Sequence, residues 1–263
     1  MHMAFRTLSL AIASTLSIAG SSAAQAPASS RPTIILVHGA FAESSSWNGV
    51  ISNLVKDGYS VVAAAVPLRS VAGDAAYVSS IVKSTPGSVV LVGHSYGGAV
   101  ITAAGNGNSN VKALVYVAGF APDVGESAID LSGRFPGSTL GPTLAPPVVL
   151  SDGGQDMYIR QDKFRAQFAA DVPRAQAAVM AATQRPVTQA ALAEAAGPPA
   201  WKSVPSWSIY GSADKNIPAA ALAFMANRAK SRRTVAVKGA SHVVMISHPN
   251  EVAGLIKEAA SAK

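Results

Sequence analysis

The sequence contains no cysteine, which removes thiol catalysis, disulfides and cysteine-ligated metals from consideration. Charge is scarce as well. Only 13% of the 263 residues are Asp, Glu, Lys or Arg, against 49% hydrophobic. A chain of that balance buries a sizeable core and does not stay disordered. Its length fits one large α/β domain or two small ones. Beyond the amino terminus no stretch is long and apolar enough to span a bilayer. Also missing are H-E-x-x-H, a Walker loop and a strand-linked G-x-G-x-x-G; "GNGN" at residues 105–108 follows a helix pattern and reads as a cap or turn. The net charge is +7, with basic residues scattered except for Arg228, Lys230, Arg232 and Arg233 near one helix end. Cations there complement the helix dipole, so a solvated basic surface is expected rather than a nucleic-acid site.

What is present begins with a leader. Residues 1–6 form a short basic start, 8–19 an apolar stretch, and 20–26 a run of small residues. That is the layout of a secretory signal peptide, too short to span a membrane. Cleavage is expected after Ala26 or, because Pro27 is a poor neighbour, after Ala24. The mature protein is then exported, periplasmic or secreted.

Downstream, continuous aliphatic runs at residues 33–37, 61–66, 89–92 and 111–118 read as strands buried on both faces. Helical spacing lies between them. Trp47, Val50, Ile51, Leu54 and Val55 mark one helix, and residues 74–84 another with Val78, Ile81 and Val82 inward. A helix of small residues covers 97–104. Such alternation means βαβ units and a parallel sheet. From about residue 122 to 205 the pattern breaks into prolines, glycines and an alanine-rich helical stretch at 163–196. It resumes with strands at 206–210 and 234–237 and helices at 218–229 and 249–260. The expected architecture is α/β: a six-stranded, mostly parallel sheet flanked by helices, formed by residues 27–121 and 206–263. A helical cap, residues 122–205, is inserted after the fourth strand.

The chemistry concentrates at "LVGHSYGGAV", residues 91–100. Gly93-His94-Ser95-Tyr96-Gly97 fits G-x-S-x-G, a strained strand-to-helix turn that holds a serine hydroxyl above the sheet. Ser95 follows one predicted strand and opens a predicted helix, which is the context the motif needs. A serine hydroxyl requires a base, and the base an orienting acid. Of five histidines, His2 lies in the leader, His94 points away if Ser95 points up, His38 ends the first strand and His248 starts a helix. His242, in "KGASHVVM" just past the last strand, is the candidate base, at the edge where ligands collect in such sheets. Asp214, after the preceding strand, is the candidate acid, with Asp123 the rival. The order Ser95, Asp214, His242 is that of α/β-hydrolases. Two backbone N–H groups should face a developing oxyanion: Tyr96, and in the "HGAF" turn Ala40, with Phe41 the alternative. Gly39 lets that turn approach closely.

The segments "LVHGAF…SSW", "LVGHSYGGAV", "VYVAGFAPD", "GSADKNIP" and "KGASHVVMISHP" resemble bacterial α/β-hydrolases close to the plant methyl-salicylate esterase and hydroxynitrile lyase group. The likeness covers about residues 33–260. It implies a cap over the pocket, no cofactor, and catalysis by Ser95, His242 and Asp214. Dehalogenase and epoxide hydrolase relatives use an aspartate where Ser95 stands. In the related lyases a threonine follows the strand-end histidine and a lysine the catalytic histidine; here those positions are Gly39 and Val243. Gly39, Phe41, Phe120, Tyr158 and Val243 are candidate pocket residues, along with Trp47 and Tyr96.

The reading that results is a serine esterase acting on a small-molecule carboxylic ester through an acyl-enzyme, monomeric or weakly oligomeric. The alternatives are a lyase or cofactor-free perhydrolase on the same scaffold, or a ligand-binding protein with negligible turnover.

Overall fold

In the computed structural model, which describes residues 31–262, strands and helices alternate from the start of the described chain. The first half runs β1 (Thr33–Val37), α1 (Asn48–Lys56), β2 (Val61–Ala64), α2 (Val71–Ser84), β3 (Val89–His94), α3 (Tyr96–Ala104) and β4 (Val111–Val117). The insertion follows: α4 (Ala128–Gly133), β5 (Val148–Val149), β6 (Gln155–Met157), α5 (Gln161–Phe168), α6 (Arg174–Thr183), β7 (Val187–Thr188) and α7 (Gln189–Ala193). The chain returns to the sheet with β8 (Ser206–Gly211), α8 (Ala219–Arg228), β9 (Thr234–Val237), α9 (Val244–Ser247) and α10 (Pro249–Ser261). The proposed signal peptide and its cleavage site lie outside the described residues. No helix among the described residues is long and apolar enough to cross a membrane.

Six strands pair in the order β2-β1-β3-β4-β8-β9, every pair parallel. The aliphatic runs explain the order of burial. In β3 each of Val89 to His94 is buried, because helices cover both faces of a central parallel strand. Strand order reverses beside β1, with β2 on one side and β3 on the other, so the carboxyl ends of β1 and β3 flank a crevice. Val37 of β1 pairs with Gly93 of β3, which brings the two strand-end turns side by side.

Several expectations change. The insertion is not purely helical, for β5, β6 and β7 form a small antiparallel sheet within it. The alanine-rich stretch at 163–196 is not one helix. It breaks around Pro173 and Pro186, as proline and the restriction on its preceding residue require. Val55 faces solvent, 56% exposed: α1 begins at Asn48, directly after Trp47, and only Val50 and Leu54 are buried on its inner face. Arg228 is not merely a solvated cation. Its guanidinium donates to both carboxylate oxygens of Glu126, at 2.8 and 2.7 Å, and to the carbonyl of Ala121. Arg134 joins the same carboxylate at 2.9 Å. Those bonds, chiefly the one from Arg228, hold Glu126 at a pKa of about 2 and pin the start of the insertion to α8.

Candidate active site

The turn at Ser95 shows why this stretch needs glycine. Ser95 has φ 52° and ψ −122°, a left-handed conformation that costs about 1–3 kcal/mol in a non-glycine residue. Three backbone bonds hold it there: its N–H donates to Val117 O, and its carbonyl accepts from Gly98 and Phe120. A Cβ at position 93 would lie 2.4 Å from the Gly97 carbonyl, and one at 97 would lie 2.5 Å from that of Val37. Both glycines are therefore required by the tight passage of α3 over β1 and β3.

Gly39 meets Ser95 from the other side of the crevice. A Cβ there would stand 2.6 Å from Ser95 Cβ and 2.7 Å from the His94 carbonyl. The turn after β1 thus packs directly on the elbow, and Ala40 and Tyr96 line one cavity with Ser95. Phe41 also lines it, but its N–H is already donated to Arg185 O at 2.9 Å. That leaves the Ala40 N–H as the donor available from this turn. Tyr96 is the first residue of α3, so its N–H has no helical partner.

His242 sits in the loop between β9 and α9, and its Nδ1 lies 2.6 Å from Asp214 Oδ2. Both side chains are buried, at 1% and 0% exposure. Asp214 Oδ1 accepts from the N–H groups of Asn216 and Ile217 at 2.8 and 3.0 Å, so the whole carboxylate is engaged. Nδ1 donates to Asp214, which leaves Nε2 on the opposite edge of the ring. His242 faces the cavity that Ser95 enters. Asp123 lies elsewhere. It is a surface group held below the usual carboxylate range by Lys202, whose Nζ is 2.6 Å away.

The cavity has a volume of ≈330 Å³. The insertion supplies much of its wall: Ile129, Leu140, Leu144, Met157, Phe168 and Leu192, opposite Phe120 and Ile217 of the sheet side. Not one of the described residues lining it is Lys, Arg, Asp or Glu. Four expected pocket residues stand apart. Tyr158, just after β6, borders a separate depression with Ala145, Val148 and Arg160. Val243 is fully buried behind His242 and Trp47 is buried edge-on against His94, while Gly39 underlies Ser95 rather than the cavity.

Other contacts had no signal in the sequence. His94 turns away from the cavity, yet it packs beneath His242 with ring centroids 4.8 Å apart. Its Nε2 donates to the His242 carbonyl at 3.2 Å, and burial together with the nearby His242 holds its pKa well below the histidine range. Phe168 of α5 lies 5.1 Å from His242, ring centre to ring centre. Gln167 donates to Lys215 O and Asn216 Oδ1, in the loop that carries Asp214. Asp171 accepts a short bond from the hydroxyl of Ser241, next to His242. On the far side, the Tyr96 hydroxyl donates to Asp74 Oδ2 at 2.9 Å, as does the Leu68 N–H at 3.1 Å. Burial raises Asp74 to about 6 despite those two bonds. Among the described residues, no group of His, Asp and Glu is arranged to hold a metal ion.

Comparison with known proteins agrees with this framework. The chain is 28% identical over 252 residues to the alpha/beta hydrolase nvfD of Aspergillus novofumigatus, covering 88% of this chain and 97% of that one. It is similar in fold to polyneuridine aldehyde esterase, with a TM-score of 0.75 at 18% identity, over 87% of this chain and 98% of the other. An extracellular alpha/beta-hydrolase from a Paenibacillus species, described as sharing structural and functional homology with tobacco salicylic acid binding protein 2, superposes with a TM-score of 0.67. It is 22% identical, over 88% and 100% of the two chains. The family model for alpha/beta hydrolases matches residues 34–255, and the chain belongs to the alpha/beta hydrolase family.

Proposed function

We propose that the protein hydrolyses small, uncharged carboxylic esters through an acyl-enzyme. The observation that carries this reading is the buried Asp214–His242 pair facing the same cavity as Ser95 on its strained turn. Ser95 Oγ attacks the ester carbonyl while His242 Nε2 takes its proton, and Asp214 holds the ring and the imidazolium that forms. The N–H groups of Ala40 and Tyr96 receive the oxyanion. Collapse of the tetrahedral intermediate passes the proton to the leaving alcohol and leaves an acyl-Ser95 ester. Water, deprotonated by His242, then releases the acid and restores the hydroxyl. The absence of charged side chains along the cavity wall supports neutral substrates, since a carboxylate or ammonium would lose its hydration there without a partner.

The test is Ser95→Ala, assayed on a panel of small chromogenic esters with the fold checked by circular dichroism. Turnover should fall by several orders of magnitude, because the three residues act as a unit. A folded Ser95→Ala protein that keeps wild-type turnover removes Ser95 as nucleophile. A wild type inactive on every ester, yet binding them, supports the ligand-binding alternative. We further propose export. The amino-terminal residue of the protein recovered from culture medium or periplasm, expected near residue 25 or 27, checks it.

A further inference from the structure

We propose that Phe41 is a partition that limits substrate size, separating the Ser95 cavity from a second and more polar chamber. The inference rests on the ester-hydrolase reading for its substrate class. A cavity of ≈400 Å³ lies between the segment 42–49 and cap helix α6. Among the described residues, Phe41 is the only one that lines both this chamber and the cavity holding Ser95 and His242.

The partition is fixed from both sides. The Phe41 backbone is held at φ 59°, a left-handed angle that a bulky residue rarely adopts. Its N–H is tied to Arg185 O of the cap, so the turn is clamped where the ring must stand. The residue is 3% exposed, and its ring meets Phe168 edge-on, with centroids 6.1 Å apart and planes at 89°. A ring packed this way does not swing aside without disturbing Phe168, which in turn packs on His242.

The two chambers differ in chemistry. Phe120, Leu140, Leu144 and Leu192 make the first apolar. Beyond Phe41, Ser45, Ser46, Asn48 and Gln176 offer hydrogen bonds, Met180 supplies an apolar wall, and Glu43 carries a negative charge. An ester tail passing Phe41 would therefore be favoured with an apolar stem and a hydroxyl or ammonium end. A carboxylate end would meet Glu43 and be rejected. The intact protein, with the ring in place, is confined to esters that fit the first chamber.

The experiment compares wild type, Phe41→Leu and Phe41→Ala on ω-hydroxyalkyl and ω-carboxyalkyl esters whose tails run from about two to about ten carbons. The quantity read is kcat/KM for long tails divided by that for short ones, within each protein. For hydroxyl-ended tails this ratio should rise about tenfold or more in Phe41→Ala, and by less in Phe41→Leu. It should not rise for carboxylate-ended tails. Refilling the chamber from the cap side, as Phe41→Ala/Met180→Trp, should return the ratio toward that of wild type. If Phe41→Ala does not fold, the Phe41→Leu ratio decides alone. Binding is measured in parallel by calorimetry with the intact long hydroxyl-ended ester, in Ser95→Ala and Ser95→Ala/Phe41→Ala backgrounds. That arm stands even if no ester is hydrolysed, so failure of the esterase reading is told apart from failure of the partition. A long-to-short ratio and a long-ester affinity both unmoved by opening Phe41 overturn the proposal.

Discussion

The ring of Phe168, in the cap, lies 5.1 Å from that of His242, in the loop that follows the last core strand. The contact is one of several by which the insertion holds the site together. Arg185 O fixes the turn after β1, Gln167 fixes the loop of Asp214, and Asp171 fixes Ser241 beside His242. The cap is therefore part of the frame that sets the geometry. Its removal should abolish turnover rather than merely change which ester is taken.

A single substitution examines that frame with little risk to the fold. Asp171→Ala removes the nearer of the two acceptors of the Ser241 hydroxyl, leaving the Phe168 carbonyl at 3.4 Å, and does not touch the cavity wall. The loop carrying His242 gains freedom, and small misplacements of a catalytic group are costly in rate. We expect kcat to fall about tenfold with KM changed little. Steady-state kinetics read the split, and an unchanged kcat would show that Asp171 does not position the loop.

The identity of the acid is tested by two isosteric changes. Asp214→Asn presents an amide where Nδ1–H must donate, favouring the wrong tautomer of His242, so kcat should fall by about ten-thousand-fold. Asp123→Asn disturbs a surface pair with Lys202 and a local bond from the Val124 N–H, both away from the cavity, and should leave kcat within about twofold. A larger loss from the Asp123 change would reassign the acid.

Tyr96 separates a backbone role from a side-chain role. Its N–H is proposed to face the oxyanion, whereas its hydroxyl serves the buried carboxylate of Asp74. Tyr96→Phe leaves the N–H in place but strips Asp74 of one of two donors, which should cost about 1–3 kcal/mol of stability. Thermal melts should register that loss while kcat stays within about tenfold. Loss of turnover without loss of stability would place the hydroxyl, not the N–H, in the chemistry.

The sheet and the elbow could be read from the residues because their causes are local. A strand buried on both faces must be aliphatic throughout, and a turn as tight as that at Ser95 admits only glycine at 93 and 97. The contact that engages the Phe41 N–H, and so favours the first choice of Ala40, could not be read, since it comes from Arg185, far along the chain. Nor could β5 to β7, because strands of two or three residues have no period to detect. Tyr158 and Val243 stand away from the cavity for a related reason. Sequence proximity to a cap wall or to His242 does not say which way a side chain turns. The support from Phe168 and Asp171 is tertiary throughout and leaves no trace in spacing.

Three buried groups beside the site set how stability depends on pH, and they act in opposite senses. Burial lowers His38 to about 4 and puts His94 well below its ordinary value. His38 Nδ1 donates to Gly39 O and His94 Nε2 to His242 O, while His38 Nε2 and His94 Nδ1 face no acceptor. A proton added to either would be stranded. Their contribution to stability is present above the unfolded value near 6.5 and is lost as pH falls toward 4, for His38 by about 3 kcal/mol at most. Asp74 works the other way. Its folded pKa, raised to about 6 from 3.8, gives a contribution that is full below 3.8 and lost as pH rises through 6. Acidification therefore strengthens the fold through Asp74 while weakening it through the histidines. Asp74→Asn removes only the opposing member, with the amide oxygen still able to accept from Tyr96 and Leu68. Denaturant melts from pH 7 to pH 5 should show stability falling more steeply in Asp74→Asn than in wild type. Parallel curves for the two proteins across that interval would mean that Asp74 does not take up its proton there in the folded state.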